Sequence, residues 1–193
     1  MLITGLLCFT TAVMAQTELK PKLIITTGTA FGVAPDGLCN NYNPKIGLGV
    51  GVEADGPLAG IRFHLGYNAF AVDRNGDNSG PVDFSGGNLS YMTLMADGVI
   101  HGNKSDRKPY PFILAGAGYV HFHRGSYNAS AGGVTISTNS DNKGYFGFEL
   151  GAGLEVPISE KVGFHIEGTY LNVAADNKNH AMIPVKAGLT FAL

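Results

Sequence analysis

Ionisable side chains recur at every second residue in several stretches of this chain. Lys45 and Glu53 do so in one segment, Arg62 and His64 in the next, and Asp97 follows. Glu149 and Glu155, then Lys161, His165 and Glu167, then Lys186 continue the pattern. A spacing of two places each group on one face of an extended strand. Acids and bases on a face closed off from water must pair, because an unpaired buried charge costs several kcal/mol. Two carboxylates such as Glu149 and Glu155 are also the residue types of acid/base chemistry. Arg62 and Lys186 are expected to neutralise them instead. The alternatives for this face are an ion-pair network filling an interior and a narrow polar pore.

Three weaker constellations stand apart. His121 and His123 flank Phe122, so both imidazoles point to one side, a spacing that can chelate a metal. A third ligand is not evident, so no metal and no cofactor are expected. Ser126 lies close enough in sequence to suggest a lipid-modifying site at a rim, yet no motif of such an enzyme is present, and the expectation is a non-enzymatic protein. The run Asp73-Arg74-Asn75-Gly76-Asp77-Asn78-Ser79-Gly80 carries oxygen ligands at alternate positions. It has Asn78 and Phe84 where a calcium loop needs Gly and Glu, and reads as a polar surface loop.

The elements that must hold these residues follow from the same period of two. Behind the charged positions runs a second, apolar face. Ile46, Leu48, Val50 and Val52 alternate with Lys45, Gly47, Gly49, Gly51 and Glu53. Ile61, Phe63, Leu65 and Tyr67 alternate with Arg62, His64, Gly66 and Asn68. The segments 145–156, 161–171 and 183–193 repeat this. Segments 23–31, 89–100 and 110–123 fit less sharply; in the last two the apolar faces are Met92, Leu94, Ala96 and Ile100, and Ile113, Ala115, Ala117 and Tyr119. Eight strands of this length suit a membrane, where a spanning strand needs about 9–11 residues, better than a soluble sheet. The connections alternate between long polar loops (32–44, 73–88, 124–144) and short turns, an asymmetry of outer-membrane barrels.

Glycine contributes 28 of 193 residues and charged residues only 15%, with a net charge of −2. No basic stripe exists, so nucleic acid is not an expected partner. The first fifteen residues are almost wholly apolar, and Val13-Met14-Ala15 fits a cleavage site; residues 1–15 are expected to be a signal peptide and 16–193 the barrel domain. Cys8 leaves with that leader, and Cys39 then has no internal disulfide partner.

Which face meets water decides the class. Glycine has no reason to line a wet surface, but it has one inside a narrow barrel whose interior is just filled by side chains. The large apolar face would overfill that interior, so it is expected to face lipid, with Tyr67, Tyr119 and Tyr170 as interface aromatics. The expected fold is an all-β, eight-stranded antiparallel up-and-down transmembrane β-barrel. Segment 23–193 resembles the small outer-membrane barrels, the OmpA transmembrane-domain and OmpX-like group, in its leader, strand count, the Gly/Ala-rich segment 110–119 and the alternating last strand. Members commonly end in an aromatic residue read by the barrel-assembly machinery; here Leu193 is last and Phe191 stands two before it. The resemblance implies a monomer in outer-membrane lipid, exported through a cleaved signal peptide. The expected function is a structural or surface-interaction role. In that role Lys45, Glu53, Arg62, His64, Glu149, Glu155, His165, Glu167 and Lys186 form a luminal ion-pair network, and the three long loops offer the surface to a ligand. A narrow channel for ions or very small solutes is the first alternative, a lipid-modifying enzyme the second.

Overall fold

The computed structural model describes residues 19–34, 42–72, 82–104, 108–175 and 179–193, with residues 82–84 described by backbone alone. The leader segment, Cys39 and the run 73–80 lie outside the described residues. Twelve strands are present: β1 (Lys20–Ala34), β2 (Tyr42–Pro44), β3 (Gly47–Asp55), β4 (Ala59–Val72), β5 (Val82–Gly86), β6 (Leu89–His101), β7 (Tyr110–Arg124), β8 (Tyr127–Ala131), β9 (Val134–Thr138), β10 (Asp141–Pro157), β11 (Val162–Ala174) and β12 (His180–Ala192). Eight of them, β1, β3, β4, β6, β7, β10, β11 and β12, pair antiparallel in chain order, and β12 closes on β1. A closed sheet leaves no unpaired edge, the condition for crossing a bilayer with strands. The up-and-down order needs only hairpin connections, as the alternating turns and loops predict.

The outward face is apolar on every barrel strand. Val50, Phe63, Leu94, Ile113, Leu150 and Ile166 are all exposed. Tyr67, Tyr119 and Tyr170 are exposed too, each four or five residues before the loop-side end of its strand. An apolar surface wrapping a whole barrel exceeds what a soluble monomer shows and matches a lipid-facing band with an aromatic girdle. Every strand therefore carries its two faces as the alternation predicts.

Four details depart from the simple pattern. The strand expected from Lys45 starts instead at Gly47; Lys45 and Ile46 interrupt the edge between β2 and β3, and the Lys45 amide bonds the Ala69 carbonyl at 2.9 Å. Pairing of β11 with β12 skips Thr169 and Tyr170, opposite Ile183 and Pro184. Proline has no amide hydrogen to give the ladder. Segment 124–144, expected as an open polar loop, contains β8 and β9, and segment 73–88 contains β5. These three form a separate sheet in the order β5-β8-β9 on the long-loop side. The β8–β9 turn is Gly132-Gly133 with φ of 56° and 84°, a mirror-image turn that matches strand twist and that glycine adopts freely.

Candidate functional site

The inward side chains fall into two groups along the barrel axis. Near the short turns they are mostly charged, with Val99, Phe112 and Leu114 as a small apolar cluster among them. Near the long loops they are apolar: Ala30, Phe70, Tyr91, Met95, Val120, Phe122, Leu171, Val173 and Met182 form one buried cluster. Phe70 stacks on Tyr91 at 5.9 Å between ring centres, and Tyr91 packs on Phe122 at 5.8 Å.

The charged half is built on cross-strand neighbours. Glu53 of β3 lies in register with Arg62 of β4, and Glu167 of β11 with Lys186 of β12. Arg62 is 4% exposed and joins two strands across the lumen. Its Nε donates to Glu53 Oε2 at 2.8 Å, and its Nη1 donates to Glu167 Oε2 at 2.7 Å. The guanidinium also lies 5.2 Å from the centre of the Phe112 ring. Lys186 Nζ donates to Glu167 Oε1 at 3.1 Å. Charge-assisted bonds of this length are the strong class.

Toward the short turns, Lys22 Nζ is 2.9 Å from Asp55 Oδ2 and 3.0 Å from Glu155 Oε1, and donates to the Tyr110 hydroxyl at 3.2 Å. Thr190 Oγ1 donates to Glu155 Oε1 at 3.2 Å. His101 Nε2 sits 3.0 Å from Glu53 Oε1 and 3.1 Å from Asp55 Oδ1. Lys104, in the turn after β6, caps this group by pairing with Asp55 and donating to the Gly56 carbonyl at 2.6 Å. Burial pulls the Lys104 ammonium below the ordinary lysine range, and Asp55 offsets that only in part.

Farther toward the loops, His64 Nδ1 is 3.0 Å from Asp97 Oδ2 and His64 Nε2 is 3.4 Å from Glu149 Oε1. Asp97 and Glu149 come from β6 and β10, on either side of β7, and both register with Gly116. The glycine is required: a Cβ there would fall on the Asp97 carboxylate and lie 2.8 Å from the Asp97 Cα, a backbone atom that cannot step aside.

Among the expected lumen residues, Glu53, Arg62, His64, Glu149, Glu155, His165, Glu167 and Lys186 thus share one interior with Asp97. Lys45 does not join them. It is exposed at the loop-side break between β2 and β3, because the chain leaves the barrel ladder there. Lys161 is exposed in the turn before β11. The direct partners differ from expectation: Glu155 is met by Lys22, and Glu149 faces His64, with Lys186 acting on Glu149 only through space. His165 is 1% exposed, and neither ring nitrogen makes a hydrogen bond. Sequence reasoning missed Lys22, Asp55, His101 and Lys104. For Lys22, Asp55 and His101 the available signal was that β1, β3 and β6 could be extended at constant alternation; Lys104, three residues beyond His101, falls out of that parity and carried none.

Two groups among the described residues place three potential metal ligands within 4.8 Å of one another: Glu53, Asp55 and His101, and His64, Asp97 and Glu149. The His121 and His123 pair belongs to neither. His121 stacks on Tyr119 at 6.4 Å, and His123 Nδ1 lies 2.6 Å from Asn142 Oδ1.

Among solved structures, the chain is similar to the Neisserial surface protein NspA. The identity is 10%, coverage is 90% of this chain and 97% of that one, and the TM-score is 0.58. It is similar to Ail, the attachment invasion locus protein of Yersinia pestis, at 19% identity over 90% of this chain and 100% of that one, with a TM-score of 0.55. OprG, an outer membrane protein of Pseudomonas aeruginosa, aligns at 10% identity over 92% and 98% of the two chains, with a TM-score of 0.53. At such identities the likeness is one of fold. No curated protein sequence matches significantly. The family model described as outer membrane protein beta-barrel domain matches residues 1–191. With that match over nearly the whole sequence, a closed eight-stranded barrel and an apolar outer band, the chain belongs to the outer membrane protein β-barrel domain family.

Proposed function

We propose that the protein is a non-conducting outer-membrane barrel whose long-loop end serves a structural or surface-interaction role. The observation that carries this reading is the doubly filled interior. Ion pairs bridge opposite walls through Arg62, and the aromatic and aliphatic cluster around Tyr91 fills the other half. Water and ions crossing the barrel would have to open both. The β5-β8-β9 sheet gives the loop end a built surface in place of open loops, and recognition on such barrels belongs to loops held by a rigid scaffold. A structure of Ail in complex with the heparin analogue sucrose octasulfate shows a barrel of this fold engaging a ligand. The role proposed here is of that general kind, without assigning that ligand.

Planar-bilayer recording tests the reading. The purified barrel should give no steady conductance, and regular single-channel steps would replace this reading with the narrow-channel one. Surface protease on intact cells should cut the β8–β9 hairpin. Export through a leader cut after Ala15 belongs to the same proposal, and the mature protein should then begin at Gln16. Outer-membrane lipid and the barrel-assembly machinery are the partners this life history requires. Among the described residues the rim histidines are engaged elsewhere, His121 stacking on Tyr119 and His123 meeting Asn142, which weighs against a lipid-modifying activity.

A further inference from the structure

The charged half of the lumen is unbalanced, and the imbalance is local. Its carboxylates are Glu53, Asp55, Asp97, Glu149, Glu155 and Glu167; its permanent cations are Lys22, Arg62, Lys104 and Lys186. Lys22 and Lys104 answer Asp55 and Glu155, while Arg62 and Lys186 answer Glu53 and Glu167. By direct ion pairs the two carboxylates in excess are Asp97 and Glu149; the imidazole of His64 lies between them, and Lys186, bonded to Glu167, also acts on Glu149 through space. Asp97 is 2% exposed and Glu149 4%. One oxygen of each, Asp97 Oδ1 and Glu149 Oε1, is fully buried and accepts no hydrogen bond. Oxygens so placed call for a cation or a proton shared between them.

We propose that His64, Asp97 and Glu149 bind a divalent transition-metal ion of the zinc type inside the barrel. One nitrogen and two carboxylate oxygens are a donor set that suits zinc and its neighbours, whereas calcium and magnesium favour all-oxygen sites. Their ligand atoms lie within 4.8 Å of one another; because Asp97 meets Nδ1 and Glu149 meets Nε2, a common ion requires the imidazole to turn so that one nitrogen faces both carboxylates. A charge of two plus cancels the local excess. A cavity lined by Thr26, Gly49, Gly51, Gly66, Arg62 and Lys186 reaches His64 but not the two carboxylates, so a water-sized fourth ligand would approach from the His64 side. Because the three residues come from β4, β6 and β10, the ion would tie together three walls at the border between the charged and apolar halves. The second candidate group, Glu53, Asp55 and His101, has the same composition, but its carboxylates are in direct ion pairs with Arg62, Lys22 and Lys104, whereas Lys186 near the first group is bonded to Glu167 instead.

The test uses tag-free, refolded full-length barrel in detergent micelles, its folding verified by heat-modifiable gel migration. Calorimetric titration with zinc chloride near neutral pH should show one site. H64Q, D97N and E149Q should each weaken it by more than about tenfold, the lower end of what loss of even an outer-shell partner costs. H101Q and the double variant H121A/H123A should leave it unchanged. Where a ligand variant does not fold, Co²⁺ added to the isotope-labelled wild type locates the ion by paramagnetic broadening. Signals of Leu65, Asp97 and Leu150 should vanish before those of His121 and His123. The proposal is overturned if folded wild type takes up no zinc, if binding follows His101 or the His121/His123 pair, or if broadening is confined to the rim.

Discussion

The two halves of the lumen fill the same barrel width by opposite means. Toward the short turns, Arg62 and Lys22 reach across it with ion pairs while Lys186 pairs with its strand neighbour Glu167, and each charge taken from water has to be matched by geometry. Toward the long loops, Phe70, Tyr91, Met95, Leu171 and Met182 fill it with volume alone. The apolar half needs the right sizes and tolerates exchange among them. The charged half needs specific partners, so one lost residue orphans others. Rigidity and specificity of the barrel should therefore reside on the turn side, and tolerance on the loop side.

The sharpest way to break this contrast is Arg62→Met. It leaves Glu53 and Glu167 buried without their shared cation and should cost about 3–5 kcal/mol. Denaturant titration of the barrel in micelles measures it, and a loss under 1 kcal/mol, order of magnitude, would mean that the bridge is idle. A double-mutant cycle with Glu167 should show strong coupling.

Leu171→Ala tests the apolar half. Leu171 is 1% exposed, and truncation should cost about 2–5 kcal/mol by transfer and cavity terms. Leu171→Met should recover most of that, whereas Arg62→Lys should not recover the two-way bridge. Equal rescue in both halves would erase the distinction drawn between them.

Val50→Arg asks whether either filling matters without the lipid face. Val50 is 46% exposed on β3 at mid-strand, and an arginine near the bilayer midplane costs about 2–4 kcal/mol. Its inward neighbour Gly49 is the control: a Cβ there would meet the Thr26 hydroxyl, a side-chain atom that a χ1 rotation moves aside, and touch the Leu65 carbonyl at 3.4 Å, so a serine should be milder. A reversal in folded yield would invert the assignment of faces.

The smallest effect is expected at Lys143. Its ammonium is 3.9 Å from Asp141, with both side chains more than half exposed, and Lys143→Ala should change stability by less than about 1 kcal/mol. A larger loss would show that ion pairs count here for reasons other than burial.

The alternation in the sequence determined the barrel class, the strand count and the two faces, because side chains on a strand have a period of two whatever surrounds them. It also placed Glu53, Arg62, Glu149, Glu167 and Lys186 on one interior, since each sits mid-strand where the parity cannot slip. Partner choice was beyond it. Lys186 meets Glu167, and Glu149 meets His64, through the register between strands, which no single strand encodes. The strand ends were equally illegible: Lys22, Asp55, His101 and Lys104 look like turn residues until closure of the barrel folds them inward, and Lys45 looks luminal until the break before β3 releases it. The apolar half escaped for a related reason. The alternation does set Phe70 on the face of Arg62 and His64, but that this inward face turns apolar toward the loops is shown only by closure of the barrel.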